Sequence, residues 1–84
     1  MEDLVFTWEG KEYNDYAIIM DKALRFRNKE RAKKFAAEFM AYYRRKTIHA
    51  DSNVGYFIGY YDGKSRKRLH RLFKVKHPFF GVNY

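Results

Sequence analysis

Residues 29–46 read KERAKKFAAEFMAYYRRK, and their spacing decides the fold. Ala32, Phe35, Ala36, Phe39, Met40 and Tyr43 recur at i, i+3, i+4, i+7, i+8 and i+11, the period of a single helix face. The far face carries Arg31, Lys34, Glu38 and Arg45. Asn28 is a good N-cap, because its side-chain oxygen can accept from an otherwise unpaired first-turn N–H. Arg44-Arg45-Lys46 suits a C-terminus, where the carbonyl dipoles favour cations. The stretch predicts a long amphipathic helix over 29–46.

Working outward, Leu4 to Trp8 reads as a strand, Glu9-Gly10 as a two-residue turn and Lys11-Glu12-Tyr13 as the returning strand. Asn14-Asp15 is a turn or cap signal. Tyr16 to Met20 fits a strand or a short helix equally, and Ala23-Leu24-Arg25-Phe26-Arg27 alternates as a third strand would. On the other side, Asp51-Ser52-Asn53 is a second cap cluster. Val54, Phe57, Ile58 and Tyr61 follow helical spacing, with Gly63 as the stop. A strand is the rival there, since Tyr56 to Tyr61 has strong β propensity and Gly55 and Gly59 weaken a helix. Ser65 is placed to cap a last helix with Leu69, Leu72 and Phe73 inward. Pro78 ends it, and Phe79-Phe80-Gly81 folds back onto the core. The expected class is α+β: a small N-terminal antiparallel hairpin or three-stranded sheet on a long amphipathic helix, followed by two short helices.

At 84 residues the chain makes one domain, 1–84, with a modest core built from eight Phe, eight Tyr and one Trp. There is no Cys, which excludes a disulfide framework and fits a reducing cytoplasm. No signal peptide or membrane span is expected: MEDLVFTWEG is acidic, and the apolar stretch near Gly55 to Tyr61 is too short.

Charge is strongly asymmetric. Residues 1–21 carry six acids and one base, a net −5, while residues 22–84 carry seventeen bases and four acids, a net +13. This divides the chain into an acidic, β-rich head (1–27) and a basic, helical body (28–84). A basic body attracts polyanions. The densest part is residues 64–81, KSRKRLHRLFKVKHPFFG, with seven Lys or Arg and no acid. Arg66, Lys67, Arg68, Arg71 and Lys74 are the candidate partner or nucleic-acid contacts, with Arg44 and Arg45 next. On a helix they spread around the axis, as a helix lying in a groove would need. The bland alternative is a solvated helix with only Leu69, Leu72 and Phe73 inward. Tyr42, Tyr56 and Tyr60 are the least core-like aromatics and the candidates for base stacking.

Other chemistry is poorly supported. His49, Asp51, His70 and His77 lack the tight spacing of a metal pair, so no metal or cofactor is expected. His70 reads as a surface residue and His77 as a cap before Pro78. Ser52 and Ser65 lack a nucleophile elbow, and neither a P-loop nor a paired-glycine fingerprint occurs. Tyr56-Phe57-Ile58-Gly59 resembles half of the GIY-YIG nuclease signature, without its other half. A catalyst is not expected.

Two resemblances add expectations. Residues 4–43, strands followed by Phe26-Arg-Asn-Lys-Glu-Arg-Ala-Lys-Lys-Phe35, are similar to AP2-like DNA-binding domains of integrases. That likeness implies a three-stranded sheet reading DNA through Lys11, Arg25 and Arg27; the acids Glu2, Asp3, Glu9, Glu12 and Asp15 depart from its pattern. Gly55-Tyr56, Gly59-Tyr60 and Gly63, followed by His77-Pro78-Phe79-Phe80-Gly81, resemble the C-terminal half of small phage and mobile-element proteins of Gram-positive bacteria. Such proteins include anti-CRISPR inhibitors. This likeness implies a non-enzymatic inhibitor of a host nucleoprotein or nuclease, such as Cas9, gripping protein or guide RNA. The alternative is direct DNA or RNA binding by an excisionase-like or regulatory module.

Overall fold

The computed structural model describes residues 4–75. A hairpin opens the fold, with β1 (Phe6–Trp8) antiparallel to β2 (Lys11–Tyr13) and Phe6 opposite Tyr13. Glu9 and Gly10 join them with φ of 51° and 78°. Positive φ at both central residues is the turn whose twist matches the strands. Glycine adopts it without penalty, whereas a side chain at Glu9 strains it by about 1–2 kcal/mol. Arg31 holds Glu9 there through a 2.7 Å ion pair. The same guanidinium lies 5.0 Å from the Trp8 ring centroid.

Four helices follow: α1 (Tyr16–Arg25), α2 (Lys29–Lys46), α3 (Ala50–Ile58) and α4 (Gly63–Phe73). The long amphipathic helix has the bounds that its spacing predicts, and Asn28 Oδ1 accepts from the Arg31 N–H at 3.0 Å. It touches β1 and the three other helices, so its apolar stripe organises the core. Phe6 meets Phe35 and Phe39 at ring-centroid distances of 5.6 and 5.3 Å, and Trp8 meets Phe35 at 5.1 Å, all edge-on. Phe39 also reaches Phe73 of α4 at 6.1 Å. These T-shaped contacts lock the hairpin and α4 onto α2. Tyr42 anchors the chain just before β1, its hydroxyl accepting from the Val5 N–H at 2.7 Å.

Several local expectations are corrected. Residues 23–25 are the last turn of α1, not a third strand, so the sheet stops at two strands and residues 16–25 of the supposed β-rich head are helical. Asp15 decides this: its carboxylate accepts from the Ala17 N–H at 2.7 Å, starting a helix whose inward residues are Ile19, Met20 and Ala23. The Ala23-to-Arg27 alternation arose from a helix end running into a linker.

Residues 54–58 are helical, as the spacing indicates, but α3 begins at Ala50, so Asp51, Ser52 and Asn53 lie inside its first turn instead of capping it. Asp51 reaches back to Arg44, and Asn53 donates to the Tyr43 hydroxyl at 3.0 Å. Gly63 does not end α3. It is the first residue of α4, and Asp62 rather than Ser65 is the cap, accepting from the Ser65 N–H at 3.2 Å. The last helix ends at Phe73, with Lys74 left-handed at φ 57°. His77, Pro78 and Phe79-Phe80-Gly81 lie outside the described residues, as do Glu2, Asp3 and Lys76.

A candidate polyanion interface on α4 and α2

On α4, Leu69, Leu72 and Phe73 are buried against the other helices. That orientation turns Lys64, Lys67 and Arg71 outward at i, i+3 and i+7, and all three are exposed. Exposed Lys74 continues the stripe past the helix end. Among the described residues, no carboxylate pairs with any of these four cations. Arg66 is half-buried on one flank.

Arg68 occupies the other flank and has a different task. Its guanidinium donates to the carbonyls of Leu24 and Phe26, each at 3.2 Å. Those carbonyls belong to the end of α1, where four have no intrahelical partner. Arg68 therefore caps α1 from a helix more than forty residues away. No local signal announces this, because the acceptors are backbone atoms. Arg68→Met should destabilise the fold by about 1.5–3 kcal/mol, the range for hydrogen bonds to a charged group. Thermal unfolding checks it: a loss as small as that of a Lys64→Met control would show that the cap is dispensable.

Arg44 and Arg45 do not join this stripe. Arg44 makes a two-pronged contact with Asp51 at 2.7 and 3.2 Å, fastening α2 to α3. That hydrogen bond, ahead of the charge, holds the guanidinium pKa above its ordinary value. Arg45 is exposed in the last turn of α2. In their place the structure supplies Lys29 and Lys33 from the first turns of α2, about 20 Å away along that helix. They face Arg68 and Arg71 across a cleft of about 270 Å³, with Leu72 completing its lining. Sequence reasoning missed these two lysines. They share a helix row with buried Ala36 and Met40, which was a usable signal that they border the helix packed on α2.

The acids are mostly committed to the fold. Glu9 pairs with Arg31, Asp51 with Arg44, and Glu30 lies 3.9 Å from Lys33. The Arg31 hydrogen bond holds the Glu9 carboxyl below its usual range. Asp15 and Asp62 cap helices, and Asp21 accepts from the Tyr61 hydroxyl at 3.1 Å. Burial, with Asp21 adding to it, pushes the Tyr61 phenol up to about 12. Tyr16, whose hydroxyl meets that of Tyr43, is also raised, mainly by burial. These contacts give Glu9, Asp15 and Asp21 of the head separate structural tasks.

Of the stacking candidates, Tyr42 is held by Val5, whereas Tyr60 is 84% exposed in the connection between α3 and α4. His70 is not a surface residue: it is half-buried, and its Nδ1 lies 2.8 Å from the Val75 carbonyl. Among the described residues, no three His, Asp or Glu side chains converge as a metal site would require. No helix there is long and apolar enough to cross a membrane. Lys11 and Arg25 are exposed, but the three-stranded sheet that the integrase likeness requires is a two-stranded hairpin. In comparisons with known proteins, no family model, curated protein or solved structure matches this chain.

Proposed function

We propose that this chain is a non-enzymatic binding protein that grips the phosphate backbone of a nucleic acid through α4 and the adjoining start of α2. The observation that carries the reading is the row Lys64, Lys67, Arg71 and Lys74, exposed and unbalanced by any carboxylate among the described residues. A solvated helix face ordinarily mixes charge signs; this one does not. Backbone contacts position a protein on nucleic acid without selecting sequence, and the stripe carries no acceptor for base edges.

Fluorescence anisotropy tests this, with labelled duplex DNA and matched single-stranded DNA and RNA. Four phosphate contacts imply an affinity loss of roughly a hundredfold between 50 and 200 mM salt. Binding that is absent, or indifferent to salt, rejects the reading.

A nucleoprotein target, as in inhibition of a CRISPR nuclease, is a second reading. It is favoured by Ile48 and Tyr60, 94% and 84% exposed in the connections at either end of α3. Apolar side chains so exposed suit contact with a protein surface. DNA cleavage by candidate nucleases with the protein added checks it, and undiminished cleavage throughout counts against it.

A further inference from the structure

The stripe is convex, but the cleft beside it is a different kind of feature. Four of its five lining residues are the cationic Lys29, Lys33, Arg68 and Arg71, which form its walls largely with their aliphatic stems, and the fifth is Leu72. No carboxylate-bearing residue belongs to that lining. Glu30 approaches Lys33 from outside at 3.9 Å, with both side chains well exposed, too loose a pair to neutralise the site. Four cationic side chains around one opening raise the local positive potential, which favours an anion at its mouth.

Arg68 makes the cleft more than a chance meeting of surface lysines. It is half-buried and fixed by the Leu24 and Phe26 carbonyls, so its orientation is set before any ligand arrives. Those two bonds occupy two of five guanidinium N–H groups, leaving three to donate. Among the described residues its charge is met by carbonyl dipoles and not by a carboxylate. Arg71 belongs to both the stripe and the cleft, making the two surfaces continuous.

Resting on the nucleic-acid reading above, we infer that this cleft seats one sugar–phosphate unit of the bound strand, the phosphate among Lys29, Lys33, Arg68 and Arg71 and the sugar face against Leu72. The apolar character of the walls suits a sugar face better than a bare ion. The cleft volume, about 270 Å³, lies just under the range of about 300–1,000 Å³ for pockets that enclose drug-sized ligands. It has room for one sugar–phosphate unit. With no aromatic in the lining, the seat is indifferent to base identity.

The test compares three proteins: wild type, Lys29→Glu/Lys33→Glu, and Lys64→Glu/Lys67→Glu. Arg68 is left intact because it caps α1. Each is titrated against labelled single-stranded DNA and the matched duplex, then thermally unfolded with and without inorganic pyrophosphate at constant ionic strength. The cleft variant should bind the preferred nucleic acid at least about tenfold more weakly, with a salt slope shallower by roughly 1.4–1.8, the release expected from two lost contacts. Pyrophosphate should raise the melting temperature of wild type and of the Lys64/Lys67 variant, but not that of the cleft variant.

Wild-type affinity in the cleft variant, alongside a weakened Lys64/Lys67 variant, overturns the cleft and leaves the stripe reading intact. Equal pyrophosphate stabilisation of all three proteins likewise overturns it. If wild type binds no nucleic acid at all, the proposed function itself fails, and this inference with it.

Discussion

Phe39→Ala is expected to destabilise the chain by about 3–5 kcal/mol, the range for emptying a buried aromatic site. Phe39 is fully buried and joins three elements at once. Its ring lies 5.3 Å from Phe6 in the hairpin, 5.5 Å from Tyr43 on its own helix and 6.1 Å from Phe73 on α4. Truncation removes its apolar burial and leaves a cavity that these large, rigid neighbours fill poorly. A chain of this length has a total stability of only about 4–13 kcal/mol, so the loss is a large fraction of it. Chemical denaturation measures the effect, with Ala41→Gly on the exposed face of α2 as the propensity control, expected to cost about 1 kcal/mol. A Phe39→Ala loss no larger than the control would contradict the aromatic core described above.

The second large effect concerns binding. Lys64→Glu/Lys67→Glu/Arg71→Glu replaces three outward cations with anions and shifts the charge of that face by six units. Against a nucleic acid, the three attractions become repulsions. Affinity at 50 mM salt should fall by at least about a hundredfold, and the salt slope should become shallower by roughly 2.1–2.7, the release expected from three lost contacts. The fold should survive, because none of the three side chains reaches the core and a carboxylate at position 64 opposes the positive end of α4. Circular dichroism establishes folding first, and anisotropy then reads the affinity. A folded triple variant that binds as wild type does would remove the α4 stripe from the interface.

How much of this was legible in the chain differed by element. The stripe on α2 was fully readable, since six apolar residues at helical spacing leave one way to bury them. Asn28 as its cap and Glu9-Gly10 as the hairpin turn were readable too, because each depends on atoms within three residues. Asp15 was the decisive local signal for α1, yet the alternation at Ala23 to Arg27 outweighed it in a reading by pattern. The start of α4 was blurred by two capping-type residues three positions apart, Asp62 and Ser65.

The candidate interface was half legible. Lys67, Arg71 and Lys74 were named from the run itself, and their outward placement follows once Leu69, Leu72 and Phe73 are buried. Arg68 belongs to the same run and is chemically indistinguishable from its neighbours, yet it holds Leu24 and Phe26 across the molecule. Arg44 was claimed by Asp51. Lys29 and Lys33 entered the site only because α4 lies against the first turns of α2.

Composition and periodicity, which are properties of near neighbours, determined by themselves a small α+β chain organised on one amphipathic helix, with a positive surplus gathered in residues 64–76. Which of those positive charges face outward, which serve as helix caps and which converge on a cleft was decided only by the tertiary structure. The physical reason is range. Caps, turns and helix faces are set within a few residues, whereas a charge finds its partner wherever packing brings a carbonyl, a carboxylate or another cation beside it.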